Sequence, residues 1–377
     1  MIIKMDHAEA AVVIDNGSGF IKAGLSGEDC PRINEPTVIG VPKNPGIMLG
    51  MDQKDFYVGH EAVDKAIFLN MYEPVVNGYI ENWDNMEHIW TQIYQDLNLS
   101  SKENPLFFVD TPLTPRSVRE KMAEFVFDKF EPPFLYMYTG SVLSLFASGK
   151  TTGLVVDSGE GRTHAVPIYE GFALPHGILK VDISGRDITL MLESLLKKTV
   201  PIFNNGNYRS EIVKIKEQFC QVASDFDFLK KTTEESDSRE EYKLPDGSSI
   251  MIGLEKYNCP EILFSPSQIG KNCPGLADTV FKAISNCDAN IKKDLYGNIV
   301  LAGGNCMLKK LADRLKKDVK ALAPSTMPAE VTAPPERAYS AWLGGSILAS
   351  IDSFKPMFIS KAEYAESGAL IVYKKCF

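Results

Sequence analysis

Asp15, Lys22 and the small residues between them form the first group in the chain whose types and spacing could do chemistry. They stand in Ala10-Ala11-Val12-Val13-Ile14-Asp15-Asn16-Gly17-Ser18-Gly19-Phe20-Ile21-Lys22-Ala23-Gly24. The apolar, β-branched run reads as a buried strand that ends on a carboxylate. Asn16-Gly17-Ser18-Gly19 then offers the φ > 0 conformations of a tight hairpin turn. A return strand, Phe20 to Leu25, carries Lys22 back past that turn. Such a turn aims backbone N–H groups and the Ser18 hydroxyl at one point, which suits phosphate oxygens. A carboxylate at its mouth, Asp15, suits a hydrated Mg²⁺. Alone, an Asn-Gly pair between apolar runs is more often an ordinary hairpin.

The design recurs. Thr152-Gly153-Leu154-Val155-Val156-Asp157-Ser158-Gly159-Glu160-Gly161 is again an apolar strand, an aspartate and a Gly/Ser turn, followed by a strand from Thr163 to Tyr169. Two copies about 140 residues apart imply an internal duplication. Facing one another across a cleft, they could clamp a nucleotide's phosphates from both sides. Asn298-Ile299-Val300-Leu301-Ala302-Gly303-Gly304-Asn305 is a third strand, running into a glycine pair where backbone can approach a nucleoside closely.

The elements that must position these residues follow from periodicity. Helices are predicted over 83–94, 119–130, 138–148, 188–196 and 211–223, and a buried strand over 106–109. Residues 31–54 are rich in Pro and Gly and read as loop, with the apolar residues of 42–51 on an exposed segment. The charged run 230–241 has no apolar period and reads as a solvated surface loop. Over 307–322, Met307, Leu308, Leu311, Leu315, Val319 and Leu322 share one helical face, with lysines and Arg314 covering the rest. That basic face reads either as solvated or as a partner site.

With 377 residues, the chain is long enough for two domains, each with its own core. Its 44% hydrophobic and 24% charged residues are those of a globular protein, and a net charge of −9 argues against sequence-independent nucleic-acid binding. The seven cysteines (Cys30, Cys220, Cys259, Cys273, Cys287, Cys306, Cys376) are odd in number and lack metal-ligand spacing, so reduced thiols in an intracellular compartment are expected. Residues 1–9 carry charges that no signal peptide would, and no stretch approaches the ~20 apolar residues of a membrane span.

The sequence resembles the actins, within the superfamily that also holds sugar kinases and heat-shock chaperone ATPases. Besides the three strand–turn elements, the likeness rests on Met48-Leu49-Gly50-Met51-Asp52-Gln53-Lys54-Asp55, Asn82-Trp83-Asp84, Arg119-Glu120-Lys121-Met122 and Val166-Pro167-Ile168-Tyr169-Glu170-Gly171. It continues through Ile183-Ser184-Gly185-Arg186-Asp187, Ala323-Pro324-Ser325-Thr326-Met327, Pro334-Pro335-Glu336-Arg337, Gly344-Gly345-Ser346-Ile347-Leu348-Ala349-Ser350 and Lys375-Cys376-Phe377. The resemblance implies a two-lobed α/β actin-like ATPase fold, duplicated ribonuclease-H-like domains with a nucleotide cleft between them. The divisions it implies are 1–36 with 74–147 and 340–377, then 37–73, then 148–183 with 272–339, and 184–271.

By resemblance the ligand is ATP or ADP with Mg²⁺ or Ca²⁺. Gly17, Ser18, Gly19 and Phe20 would cradle the terminal phosphates, Lys22 would reach in as a point charge, and Asp15 and Asp157 would hold the cation through water. Gly159, Glu160 and Gly161 would form the second cradle, with Glu160 near the ribose and one methylene longer than the family's usual aspartate. Lys216 and Glu217 would meet base and sugar, and Gly185, Gly303 and Gly304 would close the pocket. His164 matches a water-ordering histidine, so Asp15, Asp157 and His164 are the catalytic candidates.

Several positions depart from the family. Gly140 occupies the place of a glutamine that positions the attacking water. Because phosphoryl transfer relies on positioning and electrostatics, its loss could slow turnover by roughly 10²–10⁴-fold. Leu308 and Ala338 replace a tyrosine and a lysine of the adenine pocket, Asn77 a commonly methylated histidine, Lys180 an arginine and Thr114 an asparagine. The expected function is that of a divergent actin, cytoplasmic and cytoskeletal, which assembles with itself and with profilin-, gelsolin- or cofilin-like proteins. A cleft lined by residues such as Phe146, Ile347 and Leu348 would receive the helices of such partners. No direct nucleic-acid contact and no membrane insertion are expected. Two alternatives stay open: a nonpolymerising scaffold subunit of a chromatin-remodelling (hence nuclear), capping or sperm-cytoskeletal complex, and a small-molecule kinase.

Overall fold

The computed structural model describes residues 10–44, 54–204, 208–232 and 239–376. Residues 45–51 of the apolar segment, residues 233–238 of the charged run and Phe377 therefore lie outside the described residues. The chain divides into two compact units, residues 1–151 with 170–175 and 339–377, and residues 152–169 with 176–338.

The first unit is built on six strands in the order Ile359–Ser360, Phe134–Thr139, Leu106–Asp110, Val12–Asn16, Phe20–Leu25, Ile33–Pro36. Val12–Asn16 runs parallel to Leu106–Asp110, and that strand parallel to Phe134–Thr139, so Asp15, Val109 and Tyr138 share one row. Strands covered on both faces read as continuous apolar runs, and Val12, Val13, Ile14, Leu106, Phe107, Phe108 and Leu135 are all buried. Helix Trp83–Leu97 lays Trp90 against Phe108, Phe125 and Phe130. Helix Ser340–Ser350 sends the Trp342 indole N–H to the Val13 carbonyl at 2.9 Å.

The second unit repeats the plan. Gly153–Ser158 pairs antiparallel with Thr163–Tyr169 and parallel with Ile299–Ala302, and Leu179–Val181 adds to the outer side of Thr163–Tyr169. Each aspartate thus ends a strand flanked by its own antiparallel return and by a parallel neighbour: Asp15 opposite Lys22 and Val109, Asp157 opposite His164 and Ala302.

Several expectations are corrected. The Asn16–Gly19 turn does not use φ > 0, since neither Gly17 nor Gly19 has it. The Asn-Gly hairpin with both residues left-handed is Asn77-Gly78, at φ 49° and 74°, joining Val75–Val76 to Tyr79–Ile80. Residues 31–54 are not all loop: Ile33–Pro36 and Ile39–Pro42 are strands, their prolines at strand ends where a missing N–H is tolerated. The helix predicted over 138–148 begins at Gly140, because Tyr138 and Thr139 finish a strand. The helix predicted over 307–322 is Leu311–Leu322; Leu311, Leu315 and Val319 are buried, whereas Met307 and Leu322 are exposed. The helix predicted over 211–223 is Arg209–Phe219. In the charged run, Lys230 and Lys231 end a helix, and Glu240 and Glu241 begin a strand.

Candidate functional site

The first turn is gripped from behind. The Thr37 hydroxyl donates to the Gly17 carbonyl at 2.7 Å, and the Thr37 N–H to the Gly19 carbonyl at 3.0 Å. In a trans peptide the carbonyl of one residue opposes the N–H of the next. The Ser18 and Phe20 N–H groups therefore point away from Thr37. Gly17 is required by close approach rather than by φ, because a Cβ there would stand 2.4 Å from the Phe20 carbonyl oxygen. The Gly78 N–H donates to Ser18 Oγ at 2.8 Å, which leaves the Ser18 proton free to donate. Lys22 Nζ lies 3.2 Å from Asp15 Oδ2.

The second turn is held in the same manner. The Gly185 and Arg186 N–H groups, at the start of helix Gly185–Thr199, donate to the Gly159 and Glu160 carbonyls at 2.9 and 3.0 Å. The Glu160 and Gly161 N–H groups consequently face the other way. A Cβ on Gly185 would meet the Glu160 carboxylate at 2.7 Å and the backbone of the turn, Glu160 Cα and the Gly159 carbonyl oxygen, at 3.1 and 3.3 Å. Ser158 Oγ is fixed by Thr163 Oγ1 at 2.8 Å and by Asn305 Nδ2 at 3.0 Å.

Lys216 is 7% exposed, and its ammonium meets Glu160 Oε2 at 3.2 Å, Thr189 Oγ1 at 2.9 Å and the Gly185 carbonyl at 3.4 Å. An ammonium has three N–H bonds, and here three acceptors surround it. Glu217 follows on the exposed side of the helix. Gly303, at φ 89°, crosses the end of Gly153–Ser158 so closely that a Cβ would lie 2.3 Å from the Ser158 carbonyl oxygen. Its N–H donates to the Arg337 carbonyl at 2.7 Å. A Cβ on Gly304 would meet nothing within 4 Å.

His164 is buried, and burial, with Arg162 and Lys180 nearby, pushes its pKa down to about 4. It is a neutral imidazole at pH 7, able to accept a hydrogen bond on one nitrogen. A folded pKa below the unfolded value near 6.5 means that the unfolded chain takes up the proton first, so this stability is lost as pH falls from about 6.5 toward 4. Denaturant melts should show wild type losing about 2 kcal/mol more than His164→Gln between pH 7 and pH 5. Equal losses would refute the buried neutral state.

The structure thus brings Asp15, Gly17, Ser18, Gly19, Phe20 and Lys22 together in the first unit. In the second it assembles Asp157, Gly159, Glu160, Gly161, His164, Gly185, Lys216 and Gly303. Thr37, Thr189, Asn305 and Arg337 were not legible as site residues; each acts across a long sequence separation, and the motifs that contain Asn305 and Arg337 do not announce these contacts. Asn16 was also missed: its Oδ1 accepts from the Trp90 indole at 3.0 Å, and its buried Nδ2 has no partner.

In the first unit the outward amides of its turn, the free Ser18 proton, the Lys22 ammonium and the orphan Asn16 donor suit the oxygens of a phosphate, and in the second unit the outward amides of its own turn do the same. Asp15 and Asp157 are the carboxylates available to a hydrated divalent cation. Among the described residues no group of three or more His, Cys, Asp or Glu side chains is arranged to hold a metal ion. The family model described as Actin matches residues 6–377. With that match over nearly its whole length, and with two like strand–aspartate–turn units, the chain belongs to the actin family.

Proposed function

We propose that this chain binds ATP or ADP with Mg²⁺ or Ca²⁺ and assembles into cytoplasmic cytoskeletal filaments, with hydrolysis slowed by the missing side chain at Gly140. Actin-family proteins are generally nucleotide-binding, self-associating ATPases of the cytoskeleton. The observation that carries the reading is the common build of the two turns, each with carbonyls held from behind and amides turned outward. A bound nucleotide would supply the phosphoanhydride bond, and the cation positive charge. Gly17, Ser18, Gly19, Phe20 and Lys22, with Gly159, Glu160 and Gly161, would bind the phosphates, and Asp15 and Asp157 would orient the waters of the cation. Neutral His164 would accept a hydrogen bond from water. Lys216, Glu217, Gly185, Gly303 and Gly304 would frame base and sugar. The four divisions drawn from the resemblance are part of this proposal.

Filament assembly draws support from an apolar surface around a small sheet. Strands Ile39–Pro42, Tyr57–Val58 and Leu69–Tyr72 leave Val41, Ile67, Phe68 and Tyr72 exposed, Ile67 at 77%. Val41 and Tyr72 stand on two of these strands and Ile67 and Phe68 in the turn before the third; such a gathering of exposed apolar side chains suits an interaction surface, and a second copy of this chain is the occupant proposed here. On helix Ser340–Ser350, Ile347 is exposed and Leu348 half-buried, and Phe146 on helix Gly140–Ala147 is half-buried, a surface suited to the apolar face of a partner helix of the profilin, gelsolin or cofilin kind.

The test is sedimentation after adding Mg²⁺ and salt, run beside phosphate release from ATP. Wild type should pellet and release phosphate slowly. Ile67→Asp with Phe68→Asp should raise the critical concentration about tenfold or more at unchanged Tm. Gly140, which offers no side chain to orient water, favours a second reading, a scaffold subunit that holds nucleotide without polymerising. Wild type that retains ATP but never pellets would establish that reading instead.

A further inference from the structure

Lys271 stands outside the two turns, yet it closes a series of contacts that ends on the second of them. Its ammonium donates to the Asp182 carbonyl at 2.6 Å and to Asp187 Oδ1 at 2.9 Å. Asp187 Oδ2 in turn accepts from the Ser184 N–H at 2.8 Å and from the Ser184 hydroxyl at 3.0 Å. Ser184 is the N-cap of helix Gly185–Thr199, whose first two N–H groups hold the Gly159 and Glu160 carbonyls. Lys271 thus clasps both flanks of the helix start, two residues before the cap and three after it.

The lysine is itself held in place. Its own N–H donates to the Pro266 carbonyl at 3.2 Å, and the Leu276 N–H closes the loop onto the Leu263 carbonyl at 2.8 Å. Gly270, at φ 73°, makes the left-handed bend just before it. Burial alone would lower the Lys271 pKa, but the hydrogen bond and charge of Asp187, with the charge of Asp182, raise it above its ordinary value. The Lys271 side chain is 30% exposed and that of Asp187 21%, so water screens the pair only in part. Each oxygen of the Asp187 carboxylate has its own tie. Freed of Lys271, Oδ1 turns to water, and the carboxylate loses the fixed direction on which both Ser184 bonds depend.

We propose that Lys271 is a positioning residue for the second turn, acting through Asp187 and Ser184 to keep the Glu160 and Gly161 amides aimed at phosphate oxygens. The proposal rests on the nucleotide-binding reading above. Lys271 lies 84 residues along the chain from Asp187 and acts on the turn only through the start of the helix. Its effect is therefore on how long the turn keeps its shape, and so on how fast nucleotide leaves. Groups that orient a ligating residue are worth roughly 10–100-fold at metal sites. The low end applies here, because the pair is partly exposed.

The test compares wild type, Lys271→Met, Lys271→Arg, Asp187→Asn and the double variant Lys271→Met with Asp187→Asn. Lys197→Met is the control, since Lys197 pairs with Glu193 on the same helix. Each is measured for Tm, for dissociation of a fluorescent etheno-substituted ATP with Mg²⁺, and for hydrogen exchange at the Gly185 and Arg186 amides. Lys271→Met should speed both dissociation and exchange about tenfold, with Tm within about 3 °C of wild type. Lys271→Arg should bring both rates back to within about threefold of wild type, and Lys197→Met should change neither. In the Asp187→Asn background, Lys271→Met should add less than about twofold, because the two residues act in series. Where wild type holds the nucleotide, an unchanged value of either rate in Lys271→Met, or its full effect in the Asp187→Asn background, overturns the proposal. If exchange rises as expected while no protein, wild type included, holds the nucleotide, the clasp stands and the nucleotide-binding reading falls.

Discussion

Gly303→Ala is expected to lower Tm by roughly 10 °C, through a loss of about 4 kcal/mol. Two independent costs add at this residue. Its φ of 89° with ψ 155° is a conformation nearly confined to glycine. The new methyl would also lie 2.3 Å from the Ser158 carbonyl oxygen and 3.0 Å from Asp157 Oδ1. Neither neighbour can yield cheaply, since both belong to the central strand Gly153–Ser158, the Ser158 carbonyl as its backbone and Asp157 paired with His164 and Ala302. Whatever relaxation occurs must displace the carboxylate proposed to orient the cation, so ATP retention should fall together with Tm. Gly304→Ala is the control: it adds a methyl into open space without a positive φ, and it should melt within about 1 °C of wild type. Thermal melts of the two variants side by side decide the matter. A Gly303→Ala protein that melts with wild type would mean that the two strand ends do not cross as described.

Lys216→Met should carry the largest effect on ligand binding, a loss of about 100-fold in ATP affinity measured by displacement of a fluorescent nucleotide. Methionine keeps most of the buried volume and removes only the ammonium. Three acceptors then lose their donor: Glu160 Oε2, Thr189 Oγ1 and the Gly185 carbonyl. Removing one partner of a buried ion pair typically costs about 3–5 kcal/mol. Here the low end is expected, because the Glu160 side chain is 22% exposed and can rehydrate. The second turn keeps its backbone ties to helix Gly185–Thr199, but its carboxylate no longer has a fixed direction. Thr189→Val supplies a graded comparison, since it removes one acceptor and leaves the ion pair. It should weaken ATP binding by about tenfold or less. Should Lys216→Met bind ATP as wild type does, the ammonium would be a fastener of the fold alone.

What could be read from the chain was local. Asp15 and Asp157 ending apolar strands, the returns that carry Lys22 and His164, and Gly303 closing a third strand are all written within a few residues of one another, and the structure has each of them. The conformation of the turns was not legible. Asn16-Gly17 and Asn77-Gly78 are the same dipeptide, yet only the second is left-handed, because Thr37 holds the first from outside its own segment. Likewise, nothing near Lys216 announces Thr189, and nothing near Gly303 announces Arg337. Tyr138 and Thr139 were misread as helix because the apolar run passes from strand to helix without a break in polarity. That a Cβ at Gly140 would press on Val109 was not legible either, since the two meet only through the register of neighbouring strands.

The first unit takes most of its strands from one end of the chain, and strand Ile359–Ser360 and helix Ser340–Ser350 from the other. That helix reaches back to the Val13 carbonyl through Trp342, and to Gly27 and Glu28 through Ser346. On a ribosome adding about 5–20 residues per second, the strand that bears Asp15 is made first and waits for these partners on the order of tens of seconds. The bulk of the second unit, residues 176–338, is one continuous stretch that is complete before Trp342 has been added. The order of synthesis is therefore the reverse of the order of completion. The aspartate that opens the chain's first motif is among the last residues to gain its full native surroundings. During that interval the nascent protein exposes apolar strands rather than a finished sheet, and a chaperone meeting it would find Val12, Val13 and Ile14 still uncovered.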